Sequence, residues 1–184
     1  MEVTRHPALD NTLLLIVDVQ GKLARLMDES EAMIRQQQIL IAGCRLLDVP
    51  IVWAEQLPDK LGATVPELAD KLSGLSALAK SSFGCCGDEA LMAAIRASGR
   101  KQVLLCGIEA HVCVWQTAAA LIGLGYEVHL ACDAVSSRSP VNREIAFRRM
   151  DRAGVCLSSV EMMLFELMQN AEHSRFRDVA ALLK

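Results

Sequence analysis

The sequence predicts a three-layer α/β fold, in which a doubly wound and mostly parallel sheet carries helices on both of its faces. Three observations lead to this prediction. Strand-like and helix-like segments alternate along the chain, the strand-like segments are almost continuously apolar, and 184 residues suit one domain. Strands without polar alternation are typical of a parallel sheet that helices cover on both sides. Because no repeat, low-complexity tract or linker interrupts the chain, we expect a single domain over residues 1–184.

The strand-like segments are short apolar runs bounded by charged residues, Gly or Pro. Thr12–Val19 (TLLLIVDV) is the first, and its apolar side chains run without alternation, as expected for a strand buried on both faces. Pro50 separates a helical pattern from the second run. The predicted strands, in order, are Thr12–Val19, Ile51–Ala54, a brief extended segment at Leu75–Ala79, Gln102–Cys106, Glu127–Cys132 and Val155–Leu157.

Apolar residues at three- and four-residue spacing mark the helices between these strands. In the segment before Gly99, Asp88 is a typical N-cap residue and the glycine is a typical stop signal. The other boundaries rest on periodicity and on neighbouring Gly or Pro residues. The predicted helices are Glu31–Leu47, a short stretch at Pro66–Lys71, Asp88–Ser98, His111–Leu124, Asn142–Ala153, Ser159–Gln169 and Phe176–Leu183.

The composition argues against several classes of protein. With 19 Lys and Arg against 22 Asp and Glu, the net charge of -3 argues against a dedicated nucleic-acid binder, which needs a basic face. The 52% hydrophobic content argues against disorder, and no apolar run approaches the roughly 18–20 residues that span a membrane. Residues 1–10 carry charges and a Pro where a signal peptide has an apolar stretch, so we expect a cytoplasmic protein.

The 7 cysteines are an odd number and include no CxxC pair, which argues against a zinc ribbon or a thioredoxin-like site and favours reduced thiols. Most of them lie in apolar runs, where the simplest interpretation is a small core residue. This interpretation applies to Cys44, Cys106, Cys132 and Cys156. The Cys85–Cys86 pair lies between two glycines in a predicted loop, and its role stays open.

A functional site is predicted at the edge of the sheet where the strands end, because open α/β sheets bind ligands beyond the carboxyl ends of their strands. Polar and reactive side chains follow several predicted strands and come from distant parts of the chain. They are Asp18 and Gln20 after the first strand, Glu55 and Gln56 after the second, Lys80 after the extended segment, His111 and Cys113 after Gln102–Cys106, and Asp133 after Glu127–Cys132.

Three of these side chains predict a nucleophilic site. Cys113 lies in the first turn of a predicted helix, where unpaired N–H groups lower the pKa of a thiol, and a nearby Lys80 ammonium would lower it further. Asp18 would accept the thiol proton and pass it to a leaving group. The N–H of Cys113 and that of a residue just before it would form an oxyanion hole, with Gly107 allowing a sharp turn. Together these parts predict acyl transfer through a thioester.

The sequence around Cys113 also resembles a known family. The stretch GIEAHVCVWQTAAALIGLGYEVHLACDAVSSR is similar to the nucleophile region of the isochorismatase-like cysteine hydrolase superfamily, and the DVQ run at Asp18–Gln20 together with Lys80 matches its Asp–Lys–Cys triad. The segments WAEQ and LGATVPEL and the ending FRDVAALLK are similar to the isochorismatase-domain-containing subgroup, some of which has been labelled ribonuclease-like. The resemblance covers nearly the whole chain and implies the family's fold, with a Rossmann-like strand order.

The resemblance also implies a mechanism. Cys113 would attack a carbonyl group, usually that of an amide, with Asp18 as general base and acid and Lys80 as the ion-pair partner that lowers the thiol pKa. A cis peptide bond is implied between Ile108 and Glu109, which would place the N–H of Glu109 beside that of Cys113 in the oxyanion hole. Oligomers are typical of the family, so we expect a homo-oligomer.

The sequence departs from the family in informative ways. Nicotinamidases of this superfamily bind a metal through an Asp and several His residues between the second strand and the Lys, whereas this chain has no His between Trp53 and Lys80. We therefore expect no metal, no cofactor and no nicotinamidase activity. Isochorismatases themselves cleave a vinyl ether without using the Cys, so Cys113 argues against that reaction. Ala110 replaces a Thr of many relatives, which removes one hydroxyl near the site.

Each candidate residue also has a simpler structural interpretation. Taken alone, Asp18 is a typical cap, Lys80 a solvated charge and a cysteine after a strand a core residue, so only their combination favours a triad. His111 is a rival base for Cys113 or a pocket residue, although side chains two residues apart at a helix start diverge. Gln20 is a further pocket candidate.

The remaining polar residues are interpreted in the same way. Glu55 and Gln56 are candidate substrate contacts, with a loop-fixing pair as the alternative. Asp133 is interpreted as structural, with bonds to its loop through Ser136 and Ser137. A solvated or interface face is favoured over an anion patch for Arg138, Arg143, Arg148, Arg149 and Arg152. Ordinary surface or sheet residues are the interpretation for His6, His129 and His173.

Three functions follow from these features. The first is a cysteine hydrolase that cleaves a C–N bond, amide or carbamoyl-type, of a small molecule. The second is a non-catalytic interaction protein on the same fold. A weak ribonuclease-like activity is the third, and the net charge of -3 gives it little general attraction for phosphates. The hydrophobic helix around Met162–Met168 is a candidate interface for the expected homo-oligomer.

Overall fold

The structure of the chain is a computed structural model, which describes residues 6–184. Residues 1–5 lie outside the described residues. They include part of the N-terminal stretch on which the cytoplasmic prediction rests, and they are also the start of the expected single domain. The described residues form a sheet of six strands in the order β3-β2-β1-β4-β5-β6, and every neighbouring pair is parallel. The strands are β1 Thr12–Val17, β2 Ile51–Gln56, β3 Leu78–Lys80, β4 Gln102–Gly107, β5 Glu127–Val135 and β6 Cys156–Ser158.

The helices follow the predicted order, with two short additions. The bounds are α1 Gly21–Arg25, α2 Ser30–Leu46, α3 Pro58–Leu61, α4 Pro66–Ala69, α5 Glu89–Ala97, α6 Trp115–Gly123, α7 Pro140–Arg152, α8 Val160–Met168 and α9 Phe176–Leu182. Two 3₁₀ turns, Asp70–Leu72 and Cys85–Gly87, and a π-helical turn, Ala110–Val114, complete the set. The additions, α1 and α3, are too short for apolar periodicity to reveal. None of the helices within residues 6–184 has both the length and the hydropathy needed to cross a membrane.

The helices cover both faces because the strand order reverses direction at the centre of the sheet. From β1 the chain moves outward through β2 to β3, and from β4 it moves outward on the other side through β5 to β6. Right-handed crossovers then place α2 and α4 on one face and α5, α6 and α7 on the other. The last two helices, α8 and α9, pack against α2. The predicted doubly wound α/β fold is confirmed, and its sheet is wholly parallel.

The two central strands are the most deeply buried part of the sheet. Every residue of β1 and of β4 is buried, and Leu14 of β1 lies opposite Ile51 of β2 and Leu104 of β4. A strand covered on both faces has no solvent side for polar residues, which explains the unbroken apolar runs in the sequence. This packing fixes the carboxyl ends of β1 and β4 relative to each other.

Two aspartates outside this core have structural roles that can be compared with the sequence predictions. Asp88 is the N-cap of α5, as predicted, because its Oδ1 accepts the N–H groups of Ala90 at 3.0 Å and Leu91 at 3.2 Å. Asp133 is structural, but its predicted bonds through Ser136 and Ser137 are wrong. Its Oδ1 instead accepts the N–H of Val160 at 3.0 Å, at the start of α8. The sequence could not reveal this partner, which lies 27 residues further along the chain.

Gly107 ends β4 at the closest approach of this strand to β1. Its φ of 126° lies in a region that L side chains rarely adopt, and a Cβ built there would collide with the backbone of Val17. The glycine also allows the N–H of Ile108 to donate to the carbonyl of Val17 at 2.9 Å. The expected role of Gly107 in a turn is thus joined by a packing role, since only glycine fits between the two strands.

We expect Gly107→Ala to lower the free energy of unfolding by roughly 2–4 kcal/mol, because alanine adds a strained positive φ to a backbone collision. Urea denaturation followed by circular dichroism would measure the change. Gly123→Ala is the matched control, since a Cβ at this helical position meets nothing within 4 Å and no loss of stability is expected. Equal losses in the two variants would contradict the role assigned to Gly107.

Candidate active site

The predicted site residues meet at the switch point of the sheet, where β1 and β4 lie side by side and their connections leave in opposite directions. Asp18 directly follows β1, Lys80 is the last residue of β3, and Cys113 lies six residues after the end of β4. All three are buried. The fold therefore gathers side chains that are as far as 95 positions apart in the sequence.

Asp18 sits in a sharp turn that directs the chain from the strand into α1. Its φ is 57°, in the left-handed region, which Asp tolerates better than most residues. The turn is closed by the N–H of Gln20, which donates to the carbonyl of Asp18 at 2.8 Å, and the N–H of Asp18 donates to Ala54 of β2 at 3.1 Å. Because the backbone is fixed on both sides, the carboxylate has a defined position at the edge of the sheet.

Lys80 makes an ion pair with Asp18 in the interior. Its side chain is 0% exposed, and Nζ donates to Asp18 Oδ2 at 2.6 Å and to Gln56 Oε1 at 2.7 Å. The carbonyls of Phe83 and Ser82 accept from the same ammonium at 3.0 and 3.1 Å. A buried ion pair is tolerated only when further hydrogen bonds satisfy its remaining donors, and these three neighbours do so. Lys80 is therefore no solvated charge.

The second oxygen of Asp18 faces a different neighbour. Oδ1 is buried and has no hydrogen-bond partner of ordinary geometry among residues 6–184. Burial raises the pKa of Asp18, and the charge and hydrogen bond of Lys80 oppose this, as does hydrogen bonding from the Cys113 thiol. The carboxylate thus holds Lys80 through one oxygen, and the Cys113 thiol is a further group that interacts with it.

Cys113 lies in the π-helical turn Ala110–Val114, before α6 begins. The N–H of Val114 donates across five residues to the carbonyl of Glu109 at 3.2 Å, which is the bond pattern of a π-helix. The sequence predicted an ordinary first turn of an α-helix here, so the prediction was wrong in geometry. A side-chain bond reinforces the turn, since Thr117 Oγ1 donates to the carbonyl of Cys113 at 2.7 Å.

The thiol of Cys113 differs in charge state from what the sequence suggested. Burial raises its pKa to about 12, the negative charge of Asp18 adds to the rise, and the positive charge of Lys80 opposes it. The expectation of a lowered pKa assumed an exposed helix start, whereas Cys113 is only 8% exposed. Such a thiol keeps its proton at neutral pH, beside a carboxylate that can accept it.

The peptide bond between Ile108 and Glu109 is cis. Glu109 is buried and its carboxylate accepts from the backbone N–H of Arg138 at 3.0 Å and from its guanidinium at 3.2 Å. Burial alone would raise the pKa of Glu109, but the hydrogen bonds and charge of Arg138 outweigh it, so the pKa is lowered. Arg138 therefore serves as the partner of Glu109 and fixes the loop that leads to Cys113.

The glutamines among the pocket candidates are tied into the structure. The Nε2 of Gln20 donates to the carbonyls of Gly62 at 2.7 Å and Gln56 at 3.1 Å, and its Oε1 accepts the N–H of Gln56 at 2.7 Å. Gln56 also orients Lys80, and its Nε2 donates to the carbonyl of Ser81 at 2.9 Å. These contacts support a positioning role, and contact with substrate stays a prediction for both residues.

Glu55 and His111 lie on two sides of the site. Glu55 Oε1 accepts the N–H and the hydroxyl of Thr64 at 2.7 and 2.8 Å, which matches the loop-fixing alternative. His111 Nδ1 lies 3.0 Å from the hydroxyl of Ser137, and its Nε2 lies 3.5 Å from Asn142 Nδ2. These partners direct the imidazole toward α7, so the geometry favours Asp18 over His111 as the base near Cys113.

Sequence reasoning missed Thr117 and the position of Cys85. The hydroxyl of Thr117 accepts the N–H of Cys85 at 2.9 Å while it donates to Cys113, so one side chain joins the Cys85 loop to the nucleophile turn. Burial raises the pKa of Cys85 to about 12, and the charges of Lys80 and Asp18 act on it as well. A threonine four residues after Cys113, on the same side of a helix, is the signal that could have indicated this bond.

The exposed surface near the triad is small. A cleft beside β3 is lined by Leu57, Lys60, Ser81 and Asp88, but the ammonium of Lys80 is not exposed in it. Cys113 is the most exposed of the three buried triad candidates. Solvent therefore reaches Cys113 slightly more than the ion pair of Asp18 and Lys80.

The doubly wound sheet defines an α/β protein whose candidate site lies at the carboxyl edge of the sheet. A family model described as Isochorismatase domain matches residues 12–162. The chain therefore belongs to the isochorismatase family and has its hydrolase fold, as the motif around Cys113 suggested. Residues 12–162 include all three triad candidates.

Individual relatives are similar over almost the entire chain. Isochorismatase domain-containing protein 2 of Danio rerio is 38% identical over 173 residues, which are 94% of this chain and 86% of that protein. A solved structure described as the MAR1 ribonuclease of Caenorhabditis elegans has 34% identity and a TM-score of 0.92, covering 97% of this chain and 92% of that one. The YcaC gene product of Escherichia coli, described as an octameric hydrolase of unknown specificity, has 23% identity and a TM-score of 0.90, covering 100% of this chain and 89% of that one.

We expect alkylation of Cys113 by iodoacetamide to become faster by about tenfold per pH unit from pH 7 to beyond pH 9, because the thiolate is the reactive form and burial raises the thiol pKa to about 12. An unperturbed cysteine, with a pKa of about 8.5, would level off within this range. Mass spectrometry of the Cys113 peptide would measure the rate, with free cysteine as reference. A rate independent of pH between 6 and 8 would show a preformed thiolate and contradict this charge state.

Proposed function

We propose that the protein is a cysteine hydrolase that cleaves a C–N bond of an amide or carbamoyl-type small molecule, with Asp18, Lys80 and Cys113 as its catalytic triad. The observation that carries the proposal is that the two carboxylate oxygens of Asp18 have different surroundings. One carboxylate oxygen is bound to the Lys80 ammonium at 2.6 Å, the other is buried without an ordinary hydrogen-bond partner among residues 6–184, and the Cys113 thiol interacts with the same carboxylate. A carboxylate arranged in this way can receive a proton without losing its ion pair.

In the first step the sulfur of Cys113 attacks the carbonyl carbon of the substrate, and the thiol proton moves to Asp18. The C–N bond then breaks, and Asp18 returns this proton to the nitrogen as the amine leaves, which forms a thioester. In the second step Asp18 takes a proton from water, and the resulting oxygen nucleophile attacks the thioester. Release of the carboxylic or carbamic acid restores the thiol, with the proton coming from Asp18.

The ammonium of Lys80 stabilises the charged carboxylate of Asp18 that these two steps require. Burial raises the pKa of Asp18, and Lys80 opposes that rise through its charge and its hydrogen bond. A carboxylate with a raised pKa is a stronger base than an ordinary aspartate, and the ammonium stabilises its charged form. Lys80 makes four contacts with fixed protein groups, so we assign it to holding Asp18 and stabilising its charge.

We further propose that the backbone N–H groups of Glu109 and Cys113 stabilise the oxyanion of the tetrahedral intermediate. The neighbouring N–H groups are already used in the structure. The N–H of Ala110 donates to Ser136 at 2.9 Å, and those of Val112 and Val114 donate to the carbonyl of Glu109 at 3.0 and 3.2 Å. The N–H of Glu109 makes no such bond to the backbone among the described residues, and the N–H of Cys113 lies within the turn that follows it.

A panel of small amides and carbamoyl compounds, followed by mass spectrometry, tests the proposal. We expect hydrolysis of at least one compound by the unmodified chain, a covalent acyl adduct on Cys113, and loss of about 10³-fold or more in rate in Cys113→Ala, because the nucleophile is removed. Cys86→Ala is the matched control, since this half-buried thiol lies next to the site but makes no contact with Asp18 or Lys80 that the mechanism uses. It should keep the activity.

Two outcomes would contradict the proposal. Turnover that persists in Cys113→Ala would assign the chemistry to another group. The second outcome is that the unmodified chain gives neither adduct nor turnover with any compound of the panel, while Cys113→Ala keeps every binding partner. These two results together would favour a non-catalytic interaction protein on this fold. Asp18→Asn separates the role of the base from that of the nucleophile. It should slow the attack of Cys113 on the substrate, while the sulfur remains available for alkylation.

A ribonuclease-like activity is the second candidate, because the relative from Caenorhabditis elegans carries this name at 34% identity. The net charge of -3 weakens it, since phosphate backbones are bound mainly by Lys and Arg. We expect any RNA cleavage by the preparation to fall away on further purification and to be equal in the unmodified chain and in Cys113→Ala. Cleavage that copurifies with the chain and disappears in Cys113→Ala would instead support this activity.

We also propose that the protein forms a homo-oligomer and acts in the cytoplasm on a small molecule. The Escherichia coli protein of the same fold is described as octameric. Met162 and Phe165 of α8 are 53% and 39% exposed, which agrees with an interface on the helix that the sequence suggested. Apolar side chains of this size on a surface helix are typical of contacts between subunits.

A further inference from the structure

Three side chains of different metal-binding type meet at a part of the sheet that the proposed mechanism does not use. Glu127 and His129 are two residues apart on β5 and point to the same face, and Cys156 of β6 lies directly opposite His129 in the strand register. The carboxylate oxygen, the imidazole nitrogen and the thiol sulfur all lie within 4.8 Å of one another. We propose that Glu127, His129 and Cys156 form a binding site for Zn²⁺.

The donor set selects zinc among common ions. One nitrogen, one sulfur and one carboxylate oxygen suit borderline-soft Zn²⁺, whereas Mg²⁺ and Ca²⁺ require oxygen ligands throughout. With bonds of about 2.0–2.3 Å, ligand atoms around a tetrahedral zinc lie roughly 3.3–3.8 Å apart. The ligand atoms, which lie within 4.8 Å of one another in the structure, would therefore draw closer by roughly 1 Å on binding.

The imidazole of His129 is already prepared for such an ion. It is 1% exposed, and its Nε2 lies 3.0 Å from Glu127 Oε1, so two of the three ligands are held together before any ion arrives.

One further ion pair lies close enough to His129 for its charges to act on this ring. His6 Nδ1 lies 3.1 Å from Glu166 Oε1, and the charges of both residues act on His129. Glu166 belongs to α8, so its carboxylate comes from a different layer of the fold than the two strands. A zinc ion with three protein ligands needs a fourth, and either Glu166 or water can occupy that position.

The location indicates a structural role for the ion. Glu127 begins β5, and the nine residues of this strand run roughly 25 Å toward the carboxyl edge where Asp18 and Cys113 lie. An ion at this end cannot touch a substrate at Cys113. It would instead join β6, an edge strand of three residues, to the longer β5.

Cobalt binding to the full chain tests the proposal, after treatment with a chelator. Co²⁺ replaces zinc in sites of this kind, and a thiolate ligand gives it a charge-transfer band in the near ultraviolet. We expect one Co²⁺ per chain with this band, displacement of Co²⁺ by Zn²⁺, and a Zn²⁺-dependent rise in the midpoint of thermal unfolding. Cys156→Ser should abolish the band and weaken Zn²⁺ binding by about 100-fold or more, because loss even of a residue that only supports a ligand costs 10–100-fold.

Two control variants locate the ion. Cys132→Ser removes a half-buried thiol of the neighbouring strand β5, and Cys113→Ala removes the thiol of the proposed active site. Both variants should keep the band. Glu127→Gln changes a side chain that is 23% exposed, so it should fold normally and still weaken binding at least tenfold. The proposal would be overturned by a chain that binds no Co²⁺ or Zn²⁺. A band that persists in Cys156→Ser, or one that is lost only in Cys113→Ala, would overturn it as well.

Discussion

The buried ammonium of Lys80 is the constraint around which the carboxyl edge of this protein is arranged. An ammonium without solvent must have both its charge and its donors satisfied, because an unpaired buried charge costs several kcal/mol. The chain meets this requirement with the carboxylate that directly follows β1, an amide from β2 and two carbonyls from the loop after β3. The positions of Asp18, Gln56 and the loop that carries Cys85 follow from this single charge. Gln20 secures the arrangement from a second direction, through its bonds to Gln56 and Gly62.

The nucleophile that we propose is held by different means. Backbone geometry places Cys113: a glycine lets β4 approach β1, and a π-helical turn is closed on the carbonyl of Glu109. Thr117 links that turn to the Cys85 loop, and Arg138 binds the carboxylate of Glu109 from the other side. The charge pair and the nucleophile turn thus come from separate halves of the sheet. They meet because β1 and β4, which begin the two halves, are neighbours.

Burial changes the charge state that residue type alone suggests for Cys113. A cysteine at a helix start beside a lysine is expected to be a thiolate, and that expectation rests on exposure to solvent and on an α-helical first turn. In the folded chain the desolvation of the thiol and the negative charge of Asp18 outweigh Lys80, and the pKa of Cys113 rises to about 12. In the mechanism that we propose, proton transfer to Asp18 accordingly accompanies the attack, and a stored thiolate is not needed.

The sequence by itself determined the class of fold, the order of its elements and the membership of the family. Apolar strands covered on both faces leave an unbroken pattern, helices leave a three- and four-residue period, and the motif around Cys113 is local in the chain. It also singled out Asp18, Lys80 and Cys113, because the carboxyl ends of parallel strands meet at one edge. Only the tertiary structure decided how these side chains are paired and charged. The bond from Asp133 to Val160, the role of Thr117 and the meeting of Glu127, His129 and Cys156 depend on which strands and loops become neighbours. Pairing across the sheet leaves no local pattern, since its partners lie far apart in the chain and their contacts arise only when the layers pack.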